Sequence, residues 1–95
     1  MNFIGENGIM KNSVKYDGKL NVIGPTIRKY REKCNLSQAD VSAKLLLLGI
    51  DIPKNSMQRL ECGDRVIKDY ELAGISKILN ISTDTLLKDF IKDLV

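Results

Sequence analysis

The sequence predicts an all-α fold, and three observations predict it. From Gly24 onward apolar residues recur at three- and four-residue spacing, and cap and terminator residues bound each run. The one alternating stretch, near residues 14–22, has a poor register for strands. The length, 95 residues, suits one small domain, and 43% apolar with 28% charged residues is ordinary globular composition.

Residues 1–23 read as a flexible N-terminal arm, because Gly5, Gly8, Gly18 and several Asn residues interrupt any helical period. Within it, residues 14–22 resemble two short runs about an Asp17-Gly18 turn. A two-residue loop pairs Tyr16 with Lys19 and Val14 with Asn21, which splits the apolar side chains. A three-residue loop puts Lys19 where glycine is wanted. A short hairpin at 14–22 is therefore the weaker alternative.

Residues 24–95 read as the domain. Pro25 suits a first turn, Ile27, Tyr30 and Arg31 share a face, and Asn35 can take the left-handed conformation that ends helix one, residues 25–34. Ser37 caps helix two, residues 38–48, with Val41, Ala43 and the leucines 45–48 as its apolar surface and Gly49 as its stop. Pro53 opens helix three, residues 53–62, with Met57 and Leu60 inward and Gly63 at its end. Leu72, Ile75, Ile78 and Leu79 form a stripe over 69–79, although Gly74 costs that helix about 1 kcal/mol relative to Ala. Asn80 ends it, and Ser82 caps a fifth segment bearing Leu86, Leu87, Phe90, Ile91, Leu94 and Val95.

Composition then removes function classes. The chain has no His, so the commonest catalytic base and zinc ligand are missing together. Cys34 and Cys62 are too few for a four-cysteine metal site or a secreted disulfide framework, and they read as free thiols in an intracellular, cytoplasmic protein. No constellation points to catalysis, metal or cofactor, so no enzyme is expected. No signal-peptide pattern is present, and the longest apolar run, within residues 45–50, is too short for a membrane span. The net charge is only +3, but it is uneven: residues 11–33 hold seven basic and two acidic side chains. For that block a solvated tail is a simpler reading than a DNA-tracking arm, since Lys-containing chain ends are commonly solvated. Arg28 and Lys29, on helix one, are the better phosphate candidates.

The polar residues between the apolar ones are more particular. Ile27-Arg28, Arg31, Leu36-Ser37-Gln38, Lys44-Leu45, Arg59-Leu60-Glu61-Cys62-Gly63 and Leu79-Asn80-Ile81-Ser82 follow, in that order, the pattern of the Cro/C1-type (XRE) helix-turn-helix family, which the chain resembles over residues 24–87. The resemblance implies a five-helix lambda-repressor-like bundle whose helices two and three form the helix-turn-helix. It implies a sequence-specific regulator of double-stranded DNA, of bacterial or phage type and most often a repressor. Helix three would lie in the major groove, with Lys54, Asn55 and Arg59 facing the bases. Gln38 matches a phosphate-contacting position; Ser56, Gln58 and Arg65 would add backbone contacts. Arg31 and Glu61 match a structural ion pair between helices one and three.

Three features depart from the family pattern. Residues 46–50 exceed the usual spacing by five, so helix two is expected to run on by a turn before a longer loop. Pro53 stands where Ser or Thr often caps the recognition helix, so Asp51 is expected to cap instead, although an Asp there repels phosphate. Ser42 replaces a small apolar residue and is expected to bond back to its own helix. The stripe of helix five outruns the family core, which suggests a homodimer through Leu87, Phe90, Ile91 and Leu94. The alternative function is a protein-interaction module on the same fold, such as an antitoxin or a partner-binding regulator. Weak net charge, Pro53 and the tail stripe keep it open.

Overall fold

The computed structural model describes residues 16–94. Five helices follow in order: α1 (Gly24–Lys33), α2 (Gln38–Leu47), α3 (Lys54–Glu61), α4 (Asp69–Leu79) and α5 (Thr83–Asp93). Among the described residues there is no strand, and the expected all-α class holds.

The caps explain most of the boundaries. Ser37 Oγ accepts from the amide of Asp40 at 3.0 Å while Asp40 accepts from the amide of Ser37 at 2.8 Å, a complete capping box for α2. Those hydrogen bonds hold the Asp40 carboxyl below the usual aspartate range. Ser82 caps α5 by accepting from the amide of Thr85. Asn35 and Asn80 adopt left-handed backbone after α1 and α4. At α3 the expectation fails: Pro53, not Asp51, is the N-cap, and no side chain caps the first turn.

α3 packs against both α1 and α2, which also rest on α4, and α5 packs against α4. Ile27, Val41, Leu45, Ile52, Met57, Leu60, Ile75, Leu79 and Leu86 form one buried cluster across all five helices. Each such side chain contributes about 1.5 to 3 kcal/mol by leaving water. Gly24 lets α1 start directly against the end of α3, since a Cβ there would fall 2.7 Å from the Glu61 carbonyl oxygen. Gly74 does likewise for the end of α2: its Cβ would meet the side chains of Ile50 and Leu45. The helix-propensity cost of Gly74 is thus the condition for close packing.

The long connection between α2 and α3 is also resolved by these contacts. Leu46, Leu47 and Leu48 stay exposed, Leu47 at 88%. Ile50 turns back onto the core, Ile52 is fully buried, and the Ser42 hydroxyl donates to the Ile52 carbonyl rather than to its own helix. That bond staples the loop to the helix it leaves.

The expected flexible arm is corrected over its described part. Residues 1–15, and with them Val14 of the proposed hairpin, lie outside the described residues. From residue 16 onward the chain is docked: Ile23 is 4% exposed and belongs to the core. The two-residue turn does form, with Tyr16 and Lys19 exchanging both backbone hydrogen bonds at 2.8 Å. Asp17 and Gly18 have positive φ, as such a turn requires. The next amide, that of Leu20, donates to the Gly63 carbonyl after α3 and ties the turn to the end of that helix.

Candidate nucleic-acid interface

The surface of α3 divides cleanly. Met57, Leu60 and Glu61 are buried, whereas Lys54, Asn55, Gln58 and Arg59 are exposed and Ser56 is half-buried. This follows from the spacing: with apolar residues at 57 and 60, positions 54, 55, 58 and 59 fall on the rest of the helix. Lys54, Asn55 and Arg59 therefore share an open face, as the sequence predicted. Arg59 donates to the Asp64 carbonyl at 3.2 Å in an exposed setting, a contact that water can replace.

The inner edge of α3 is anchored by charge. Arg31 Nε donates to Glu61 Oε2 at 2.6 Å and Nη2 to Oε1 at 3.0 Å, while Nη1 takes the Leu36 carbonyl at 2.8 Å. The hydrogen bonds to Glu61 raise the Arg31 pKa above its already high value. This bidentate pair ties α1 to α3 as expected.

Two predicted phosphate contacts are otherwise engaged. Gln38 Nε2 donates to Glu61 Oε1 at 2.9 Å, so it extends the ion pair. A buried carboxylate has more acceptor sites than one guanidinium fills, and Gln38 supplies another donor. Arg65 grips Glu71, Nη1 to Oε1 at 2.8 Å and Nη2 to Oε2 at 2.9 Å, with Glu71 also accepting from the amide of Lys68. Arg65 is raised and Glu71 lowered in pKa, chiefly by that shared hydrogen bonding. Arg65 is thus a structural residue, because the loop after α3 brings it onto a carboxylate at the start of α4.

The remaining candidates lie on α1. Arg28 pairs with Glu32 at 3.2 Å, exposed, and Lys29 sits 5.4 Å from the Tyr30 ring centroid. Both are open to solvent. Arg28, Arg31, Gln38, Gln58 and Glu61 surround one hollow together with Cys62, so the exposed amide of Gln58 faces the anchored network. Cys34 and Cys62 are free and exposed. Among the described residues no group of three or more His, Cys, Asp or Glu side chains could hold a metal ion, and no helix is long and apolar enough to cross a membrane.

The sequence reading missed Asn21. Its Nδ2 donates to the carbonyls of Leu60 at 2.9 Å and Arg65 at 2.7 Å, and its Oδ1 accepts from the amide of Gly24 at 2.7 Å. An Asn three residues before a helix start was the available signal, but its partners at the end of α3 lie far along the chain.

The apolar stripe of α5 also divides. Leu86 is buried, Leu87 packs against the core, and Phe90 meets the Tyr16 ring edge-on with centroids 5.0 Å apart. Leu87 and Phe90 are therefore used within the bundle, because residues 16–23 fold back over that end of α5. Of the four residues expected at a dimer interface, Ile91 and Leu94 stay exposed.

The fold and site define an all-α bundle with a short, anchored third helix that displays Lys54, Asn55 and Arg59. Compared with known proteins, the chain matches no family model, no curated protein and no solved structure.

Proposed function

We propose that this chain is a sequence-specific double-stranded DNA-binding regulator that reads bases with α3 and acts as a repressor in the cytoplasm. The observation that carries the reading is the exposed face of α3. Lys and Arg can donate to guanine O6 and N7, and Asn pairs with adenine N6 and N7. These side chains stand on a helix whose opposite face is held by Met57, Leu60 and the Arg31–Glu61 pair, which is what base discrimination requires of its support. Arg28, Lys29 and Gln58 are the exposed candidates for phosphate contact, and Ser56 is the half-buried one at the uncapped first turn. The resemblance to the Cro/C1-type family supports the same assignment. A two-fold dimer on α5 would rest on Ile91 and Leu94, and sedimentation at tens of micromolar tests it.

Selection of bound DNA from a random pool at physiological salt is the direct test. A palindromic motif is the expected result, and recovery of unenriched sequence would reject the reading. On the selected site, Arg59→Ala should cost about 1 to 3 kcal/mol at one base position and leave the others unchanged.

One observation favours a second reading, a protein-interaction module. Leu46, Leu47 and Leu48 stand 61%, 88% and 44% exposed at the end of α2. Salt separates the two readings: phosphate neutralisation makes affinity fall steeply with salt, and apolar docking does not.

A further inference from the structure

α3 spans eight residues, about two turns, and its last carbonyls have no partners inside the helix. The amides of Cys62, Gly63 and Asp64 reach those of Gln58, Leu60 and Arg59, and the preceding chain adds donors to Leu60 and to the two residues that follow the helix. Lys19 Nζ donates to the Cys62 carbonyl at 3.2 Å, the Leu20 amide to Gly63 at 2.8 Å, and Asn21 Nδ2 to Leu60 at 2.9 Å. The Lys19 ammonium also lies at the negative end of the α3 dipole. At its far end this segment rests on α5 through Tyr16 and Phe90, and Asn21 joins it to the first amide of α1.

We propose that residues 16–21 are a strap that fixes the C-terminal end of α3, with Lys19 and Asn21 as positioning residues for the face bearing Lys54, Asn55 and Arg59. The first turn of α3 has no side-chain cap, so the strap gives this short helix polar contacts at its other end that its start lacks. Hollows flank Asn21 on two sides, one lined by Tyr16, Cys62 and Phe90, the other by Ile67, Leu72 and Leu87. The strap is held by these polar contacts and by the Tyr16–Phe90 ring contact. Its effect on recognition rests on the DNA reading above; its effect on α3 does not.

Amide hydrogen exchange well below the unfolding temperature tests it. The amides of Cys62, Gly63 and Asp64 close the last turn of α3, bonding to Gln58, Leu60 and Arg59. In Asn21→Ala these amides should exchange about tenfold faster, with α2 and α4 unchanged. Equal acceleration in every helix, or none at α3, would overturn the proposal. If Asn21→Ala does not fold, Lys19→Met at the exposed position gives the same comparison, with about threefold acceleration confined to α3. On a site selected by the wild type, the folded variant should lose about tenfold in preference for cognate over random DNA, with the salt slope retained. A preserved preference would overturn the positioning role. A wild type that selects no sequence rejects the DNA reading, and the exchange experiment then decides the strap alone.

Discussion

Arg31 and Arg65 each grip one buried glutamate with two hydrogen bonds, yet the pairs join very different lengths of chain. Arg31 reaches Glu61 across 30 residues and locks α1 to α3, whereas Arg65 reaches Glu71 across six and folds the α3–α4 loop onto the start of α4. Their surroundings differ as well. The Arg31 side chain is 10% exposed and Arg65 19%, while both carboxylates are 3% exposed. A long-range pair fixes which helices meet; a short-range pair fixes the path of one connection. The sequence pattern pointed to the first as structural and assigned Arg65 to phosphate, since nothing local marks a loop arginine as already committed.

The largest expected effect separates the pairs directly. Glu61→Ala strands a buried guanidinium and the amide of Gln38, and should cost about 3 to 5 kcal/mol in urea unfolding. Glu71→Ala should cost less, about 2 to 3 kcal/mol, because Arg65 can turn into solvent more easily. Equal losses would show that exposure of the arginine does not control the penalty.

Acid should act through the second pair in a readable way. Glu71 titrates below the ordinary glutamate value of 4.5, chiefly because Arg65 bonds to its charged form. A depressed pKa in the folded state contributes stability above the unfolded value, and that stability is lost as pH falls through the folded one. The stability difference between wild type and Glu71→Gln should thus be constant above pH 5 or so and shrink as pH falls below about 4.5. A difference that does not change between pH 5 and pH 3 would contradict the assignment.

The smallest effect distinguishes a committed arginine from an open one. Arg59→Ala should change unfolding free energy by under about 0.5 kcal/mol, as for other surface positions, while impairing recognition of one base. Arg65→Met should do the reverse, losing stability while base preference is kept in the folded fraction. Paired denaturation and binding titrations on the two variants check this.

Helix boundaries were legible because capping is local. Ser37, Asn35, Asn80 and Ser82 act within a few residues of themselves, and the helices start and stop where those residues stand. The inward positions of α3 were legible for the same reason, since Met57 and Leu60 fix its rotation and leave Lys54, Asn55 and Arg59 outside. The apolar residues at the end of α2 and just beyond it were less legible: apolarity alone places Leu45 and Ile50 no differently from Leu47, and the close contact at Gly74 decides between them.

By itself, then, the sequence determined the helical class, the element order and the exposed face of α3, because periodicity and capping depend on near neighbours. Tertiary structure alone decided that Asn21 clamps the end of α3, that Arg65 and Gln38 are bound to glutamates, and that Phe90 turns toward Tyr16. Each of those outcomes depends on which partner reaches a polar or apolar group first in space. Spacing along the chain does not encode that distance.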